Sequence, residues 1–157
     1  MCEHCGCRGT EAIAELMDEH LALLDLAGEV RWHLQREDRA GAVATLEKLG
    51  DLLLDHVSRE ENGVFAALKQ QGDFAYAVEE LEGEHNAFDI KYDELDPESP
   101  SFTHDVNAML DDLVTHIDKE NLGVFPVAVV TLRARDWAIV DAARDAAPDA
   151  EASLLLA

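Results

Sequence analysis

The segment His56-Val57-Ser58-Arg59-Glu60-Glu61-Asn62-Gly63-Val64-Phe65 recurs 60 residues downstream as His116-Ile117-Asp118-Lys119-Glu120-Asn121-Leu122-Gly123-Val124-Phe125. Histidine, a basic residue, glutamate and Gly-Val-Phe occupy the same offsets in both copies. A weaker echo precedes each copy, Glu19-His20 before the first and Glu84-His85 before the second. Residues four apart lie on one face of a helix, about one turn apart. His56 and Glu60 thus aim at one point, as do His116 and Glu120. The duplication divides the chain into two helical hairpins, each offering a lone His and a His-x-x-x-Glu pair. Packed with approximate two-fold symmetry, the hairpins bring both sets together.

Helical periodicity extends outward from these copies. A first helix is expected from about Thr10, as N-cap, to about Gln35, with Ile13, Leu16, Leu23, Leu24, Ala27 and Val30 recurring at three- and four-residue steps. The second starts near Asp38 and ends at Gln71-Gly72, with Val43, Leu46, Leu49, Leu53, Val57, Val64 and Leu68 facing inward. Asp73 can cap a third helix reaching about Leu95. Pro97 stops it, and Ser99-Pro100 supplies a cap and first-turn pair for the fourth. That helix is expected to run to about Arg144, kinked or split by Pro126. No strand-period segment of useful length is found. The prediction is an all-α chain whose residues 10–146 form an up-down-up-down antiparallel four-helix bundle. A Cys-rich segment, 1–9, precedes it, and a loosely docked tail, 147–157, follows.

A chain of 157 residues, 48% hydrophobic, suits one core. Its net charge of −22 repels phosphate backbones and anionic headgroups, so neither nucleic acid nor a membrane surface is an expected partner. Met1-Cys2-Glu3-His4-Cys5 has nothing of a basic and apolar signal peptide, and all three cysteines fall within the first seven residues. With none left for a core disulfide, a reducing compartment, the cytoplasm, is expected. The sequence does not specify an oligomeric state.

A lone His on an amphipathic helix is ordinarily a surface or satisfied core residue. Two copies of His-x-x-x-Glu set amid Leu53, Val57, Phe65, Ile117 and Phe125, each preceded by a lone His, argue against that reading here. Neutral imidazole and carboxylate form a ligand set for iron, manganese or zinc. His20, His56, Glu60, His85, His116 and Glu120 exceed what one tetrahedral zinc needs, but fit two metals bridged by the two carboxylates. A ferritin-like arrangement requires Glu-x-x-His in two helices; only Glu82-Gly83-Glu84-His85 fits, because positions 53 and 113 are both Leu.

The pattern of lone His, His-x-x-x-Glu, lone His and His-x-x-x-Glu-x-x-x-x-Phe-Pro resembles the hemerythrin-like, or HHE cation-binding, domains over roughly residues 10 to 130. The resemblance implies a non-haem di-iron centre with carboxylate and oxo or hydroxo bridges. On this chain it implies that Glu60 and Glu120 bridge, while His20 with His56, and His85 with His116, are the terminal ligands. The oxygen-carrier hemerythrins have a His-x-x-x-His pair on their third helix, but four residues from His85 stand Leu81 and Asp89. Their fourth helix has a His-x-x-x-x-Asp spacing, against Glu120 at i+4 here. The six-residue set is more similar to that of di-iron proteins that repair iron–sulfur centres and of many bacterial hemerythrin-like proteins. It implies one loosened iron, and chemistry with oxygen, nitric oxide or peroxide rather than simple oxygen carriage. A non-catalytic role in iron storage, sensing or delivery is the alternative. No dedicated acid, base or nucleophile is seen outside the ligand set; an enzymatic turnover would be that of an oxidoreductase.

Cys2-Glu3-His4-Cys5-Gly6-Cys7 offers enough thiolates for a further metal or a redox pair. His33, about 220° round the helix from His20, and His104, about 18 Å along the axis from His116, are expected not to ligate. Trp32 and Trp137 read as bundle packing, and nothing in the spacing requires Tyr76 or Tyr92 at the metals. Glu61 is a reserve ligand with no carboxylate counterpart at Asn121. Gly63 and Gly123, costly inside a helix, suggest close helix approach beneath the metals.

Overall fold

The computed structural model describes residues 10–146. Among them every regular element is helical: α1 (Glu11–Gln35), α2 (Arg39–Glu60), α3 (Ala66–Gln71), α4 (Ala75–Asp93), α5 (Phe102–Lys119), α6 (Phe125–Thr131) and α7 (Ala134–Asp145). Two single π turns, Glu61–Phe65 and Glu120–Val124, join α2 to α3 and α5 to α6. No helix among the described residues is long and apolar enough to cross a membrane. Residues 1–9, with the cysteine cluster, and the tail from 147 lie outside the described residues.

Local chemistry sets the boundaries. Thr10 stands at the N-cap of α1 in extended backbone but makes no side-chain cap bond. Asp38 caps α2, its Oδ1 accepting from the Gly41 N–H at 2.9 Å. Gly72, at φ 99°, ends α3 in a backbone region open to glycine. The expected cap at Asp73 is not made: α4 begins two residues later, behind Phe74, and the Asp73 carboxylate accepts from Gln71 Nε2 instead. The start of α5 shifts similarly, with Ser101 rather than Ser99 next to the first helical residue.

The fourth helix is interrupted just ahead of Pro126, by the second π turn. The π turn ends two residues ahead of it, and the Phe125 N–H bonds back five residues to the Glu120 carbonyl. The widened turn sits where a proline ring would otherwise crowd the carbonyl four residues earlier, and Pro126 falls in the first turn of α6, where its missing N–H is tolerated. A second break, into extended backbone, comes at Leu132 and Arg133. There the buried Asp136 carboxylate accepts from the Arg133 N–H and starts a separate α7.

The core divides into two apolar clusters. One gathers Ile13, Leu16, Met17, Val64, Phe65, Leu68, Leu81, Val124, Phe125 and Val140. The other gathers Leu23, Val30, Leu49, Leu53, Phe88, Val106, Leu110, Leu113 and Ile117. Along α1 and α4, and along α2 and α5 with the π turns that continue them, the chain passes from one cluster to the other through a His or Glu: His20, His85, His56 with Glu60, His116 with Glu120. The polar layer is thus sandwiched between two dry ones. Trp32 does not share in this packing; it is half-exposed, and the Arg36 guanidinium lies 3.9 Å from its ring centroid. Trp137 packs against the first cluster.

The two repeated glycines differ. A Cβ at Gly63 would stand 3.2 Å from Ala143 Cβ and 3.6 Å from Val140 Cα, so Gly63 lets α7 lie against the first π turn. Gly123 faces open space, with nothing within 4 Å of an added Cβ. The close approach expected of both exists at one, and its partner is α7. Gly123→Ala should raise stability by up to about 1 kcal/mol. Gly63→Leu should lower it by roughly 1–3 kcal/mol by pushing α7 away. Urea unfolding of the two variants beside the parent checks both signs.

Candidate metal centre

All six of His20, His56, Glu60, His85, His116 and Glu120 are buried, and they fall into two overlapping groups. His20 and His56 share one with both glutamates, and His85 and His116 share the other with the same glutamates. Within each group the potential ligand atoms lie within 4.8 Å of one another, close enough to hold a metal cation. The i, i+4 spacing places His56 Nε2 3.0 Å from Glu60 Oε1, and His116 Nε2 2.9 Å from Glu120 Oε1. The lone histidines enter from α1 and α4. His20 Nε2 is 2.8 Å from His56 Nε2, and His85 Nε2 is 2.9 Å from His116 Nε2.

Each glutamate turns one oxygen to each imidazole pair. Glu60 Oε1 faces His20 and His56, while its Oε2 lies 3.6 Å from His85 Nε2. Glu120 Oε1 faces His85 and His116, and its Oε2 lies 3.1 Å from His20 Nε2.

The opposite edge of every imidazole is fixed by an acceptor. His56 Nδ1 donates to Glu19 at 2.7 Å and His116 Nδ1 to Glu84 at 2.8 Å. His85 Nδ1 donates to Glu61 at 2.8 Å, and His20 Nδ1 to the Asn121 carbonyl oxygen at 2.9 Å. An acceptor at Nδ1 places the hydrogen there and leaves each neutral ring an Nε2 lone pair aimed inward. Four nitrogen lone pairs and four carboxylate oxygens then converge in a dry layer. With the four rings neutral and their hydrogens on Nδ1, the buried oxygens of Glu60 and Glu120 have no donor facing them, an arrangement that metal cations in their midst relieve. The donor set fits a metal pair. Phe125 stacks on His20 and Phe65 on His85, closing the layer from one side.

Without metal, protons fill that role. Burial pushes the His20 and His85 imidazoles down, but hydrogen bonds to Glu120, then to Glu60 for His20 and Glu61 for His85, with the carboxylate charges, outweigh it and raise both to about 10. Burial pushes the Glu60 and Glu120 carboxyls up, yet the surrounding imidazoles hold Glu60 below the ordinary value and Glu120 well below it.

Glu61 is therefore not one of the converging donors; it orients His85, as Asn121 orients His20 from the equivalent place in the repeat. The orienting roles of Glu19 and Glu84 are not apparent from sequence, although the Glu-His echo already contained both residues. His33 is held by Asp38 at 2.7 Å, and His104 is exposed; neither joins a group. Tyr76 is 82% exposed, and Tyr92 donates its hydroxyl to the Leu46 carbonyl, so neither belongs to the groups.

Two outcomes follow from this geometry. Replacing Glu19 or Glu84 by Ala frees one imidazole to turn, and metal affinity measured by competition with a chelator should fall about 10–100-fold. In the metal-free protein, groups raised on folding stabilise fully below their ordinary value of 6.5, and that contribution disappears as pH rises towards about 10. Glu60 and Glu120, lowered on folding, lose their contribution as pH falls below 4.5. The melting temperature of the metal-free protein should peak between these values. His20→Gln should flatten the alkaline limb.

The model of the hemerythrin HHE cation-binding domain matches residues 11–128. No curated protein and no solved structure matches the chain. The matched stretch covers α1 to α5, the second π turn and the first half of α6, with all six converging residues inside it, so the chain belongs to the hemerythrin HHE cation-binding domain family.

Proposed function

We propose that the chain is a non-haem di-iron protein, an up-down-up-down four-helix bundle whose centre binds or reacts with a small ligand such as oxygen, nitric oxide or peroxide. The observation that carries this reading is the orientation of Glu60 and Glu120, each with one oxygen towards each imidazole pair. A single cation would leave half of those oxygens unmatched. Two cations, each with two imidazoles and two carboxylate oxygens, match all eight donors and leave positions free for an external ligand. Such a donor set, mixing nitrogen and oxygen, suits iron. An iron pair, when bound, supplies electrons and open coordination positions.

The chain's own part is to hold and to shield. The Nδ1 bonds to Glu19, Glu61, Glu84 and Asn121 fix ring orientation, and the carboxylate acceptors raise the donor strength of the rings they hold. The two apolar clusters keep bulk water from the layer. A cytoplasmic setting and the absence of nucleic-acid and membrane partners belong to the same reading and rest on charge and cysteine placement.

Iron reconstitution tests the proposal. The parent should bind two irons per chain and develop an optical spectrum that changes with oxygen. His56→Ala should lose one iron, and Glu120→Ala, which removes a bridge, should lose both. Less than about half an iron per parent chain, with the His56→Ala spectrum unchanged, would refute metal binding.

A further inference from the structure

The six inward-facing residues are arranged evenly, but their surroundings are not. On α1 the residue four after the lone His20 is Leu24, packed against the second apolar cluster. In the equivalent place on α4, four after His85, stands Asp89, which is exposed. From α1 that cluster takes Leu23, Leu24, Leu26, Ala27, Val30 and Leu34; from α4 it takes only Phe88 and Tyr92. The bundle is therefore thinly filled beside α4. A cavity of about 260 Å³ opens between α4 and α5 and reaches both His85 and His116. A second, of about 460 Å³, opens between α2 and α4 and also reaches His85. Leu53, Val57, Phe88 and Asp89 border both.

The other imidazole pair is shut in. His20 and His56 are each 1% exposed, against 7% for His85 and His116. Arg59 pairs with Glu19 at 2.5 Å, directly behind the Glu19–His56 bond. A cavity near this side, bordered by Ala12, Leu16 and Arg59, measures only about 10 Å³ and touches none of the six residues.

We propose that external ligand reaches the metal pair from the α4 side, at the ion held by His85 and His116, through the cavity between α4 and α5, and that the ligand is a small uncharged molecule. Leu53, Val57, Phe88 and Leu113 give the cavity an apolar wall, and the charged group against its imidazoles, Glu84, is negative. Lys91 is paired with Asp112 and Lys119 with Glu84, which leaves no free cation among the described residues of the lining, while Asp89 adds a further negative charge; with the net charge of −22 this repels anions. The space exceeds the roughly 30 Å³ share of one water several-fold, ample for a ligand of a few heavy atoms.

This inference rests on the metal-pair reading, and the test separates the two. Iron content is measured first: a chain without iron fails that reading, whatever happens in the cavity. Nitric oxide association with the reduced, iron-loaded protein is then followed by rapid mixing. Ala87→Trp and Leu53→Phe, which fill the space, should slow it by on the order of tenfold or more while iron content stays at the parent value. Ala22→Trp, at the equivalent exposed place two residues after His20, should leave the rate unchanged. Xenon under pressure supplies a readout independent of metal, because it occupies dry apolar cavities; crystals of the metal-free protein should show it between α4 and α5 and lose it in Leu53→Phe. Full iron content with an unchanged rate in both filling variants, a slowed rate in Ala22→Trp, or xenon absent from that space would overturn the proposal.

Discussion

Two buried carboxylates facing one another are the constraint on which the rest of the molecule depends. Glu60 and Glu120 have essentially no exposed surface and lie between two apolar clusters. Like charges in such a medium repel strongly and are costly to desolvate. The four imidazoles make the pair tolerable, and the acceptors behind them make the imidazoles effective. Helix packing is organised around this need, because α1, α2, α4 and α5 each deliver one part of the polar layer.

The π turns belong to the same logic. Each begins at or just after the buried glutamate, and each adds a residue to one helical turn. In the first half this places Glu60 in the central layer while Glu61, its neighbour, reaches His85 Nδ1 from outside. In the second half Glu120 and Asn121 share the task in the same way, with Asn121 on His20. One segment thus supplies a donor to its own hairpin and an orienting acceptor to the other. Glu19 and Glu84 work within their own hairpins, on His56 and His116. The two bonds from Glu61 and Asn121 tie the halves together in a crossed pattern.

How much of this was legible in the sequence depends on whether the signal was local. His56 with Glu60, and His116 with Glu120, announce themselves because an i, i+4 polar pair stands in an apolar stripe and does so twice. The helices were legible for the same reason, since apolar periodicity follows from burial. The acceptors at Nδ1 were not legible, because those contacts cross between helices and an acidic residue is unremarkable in so acidic a chain. Pro126 marked the interrupted turn but not its form, because whether the chain widens into a π turn ahead of a proline depends on packing. The break at Leu132 carries no glycine or proline to mark it, and Asp136 becomes a cap only once Arg133 has turned extended.

The repeat finally explains why the two groups of inward-facing residues need not be equal in their surroundings. The histidines and glutamates match in both halves. Around them the halves have diverged: Glu61 against Asn121, Leu24 against Asp89. The first difference gives His85 a carboxylate, Glu61, where His20 has only the neutral amide of Asn121, while Glu84 and Glu19 serve His116 and His56 alike. The second thins the packing beside the same ring. A stronger imidazole donor and an open flank therefore fall on one side of the layer, and the symmetry of the inner ligands coexists with an asymmetric surround.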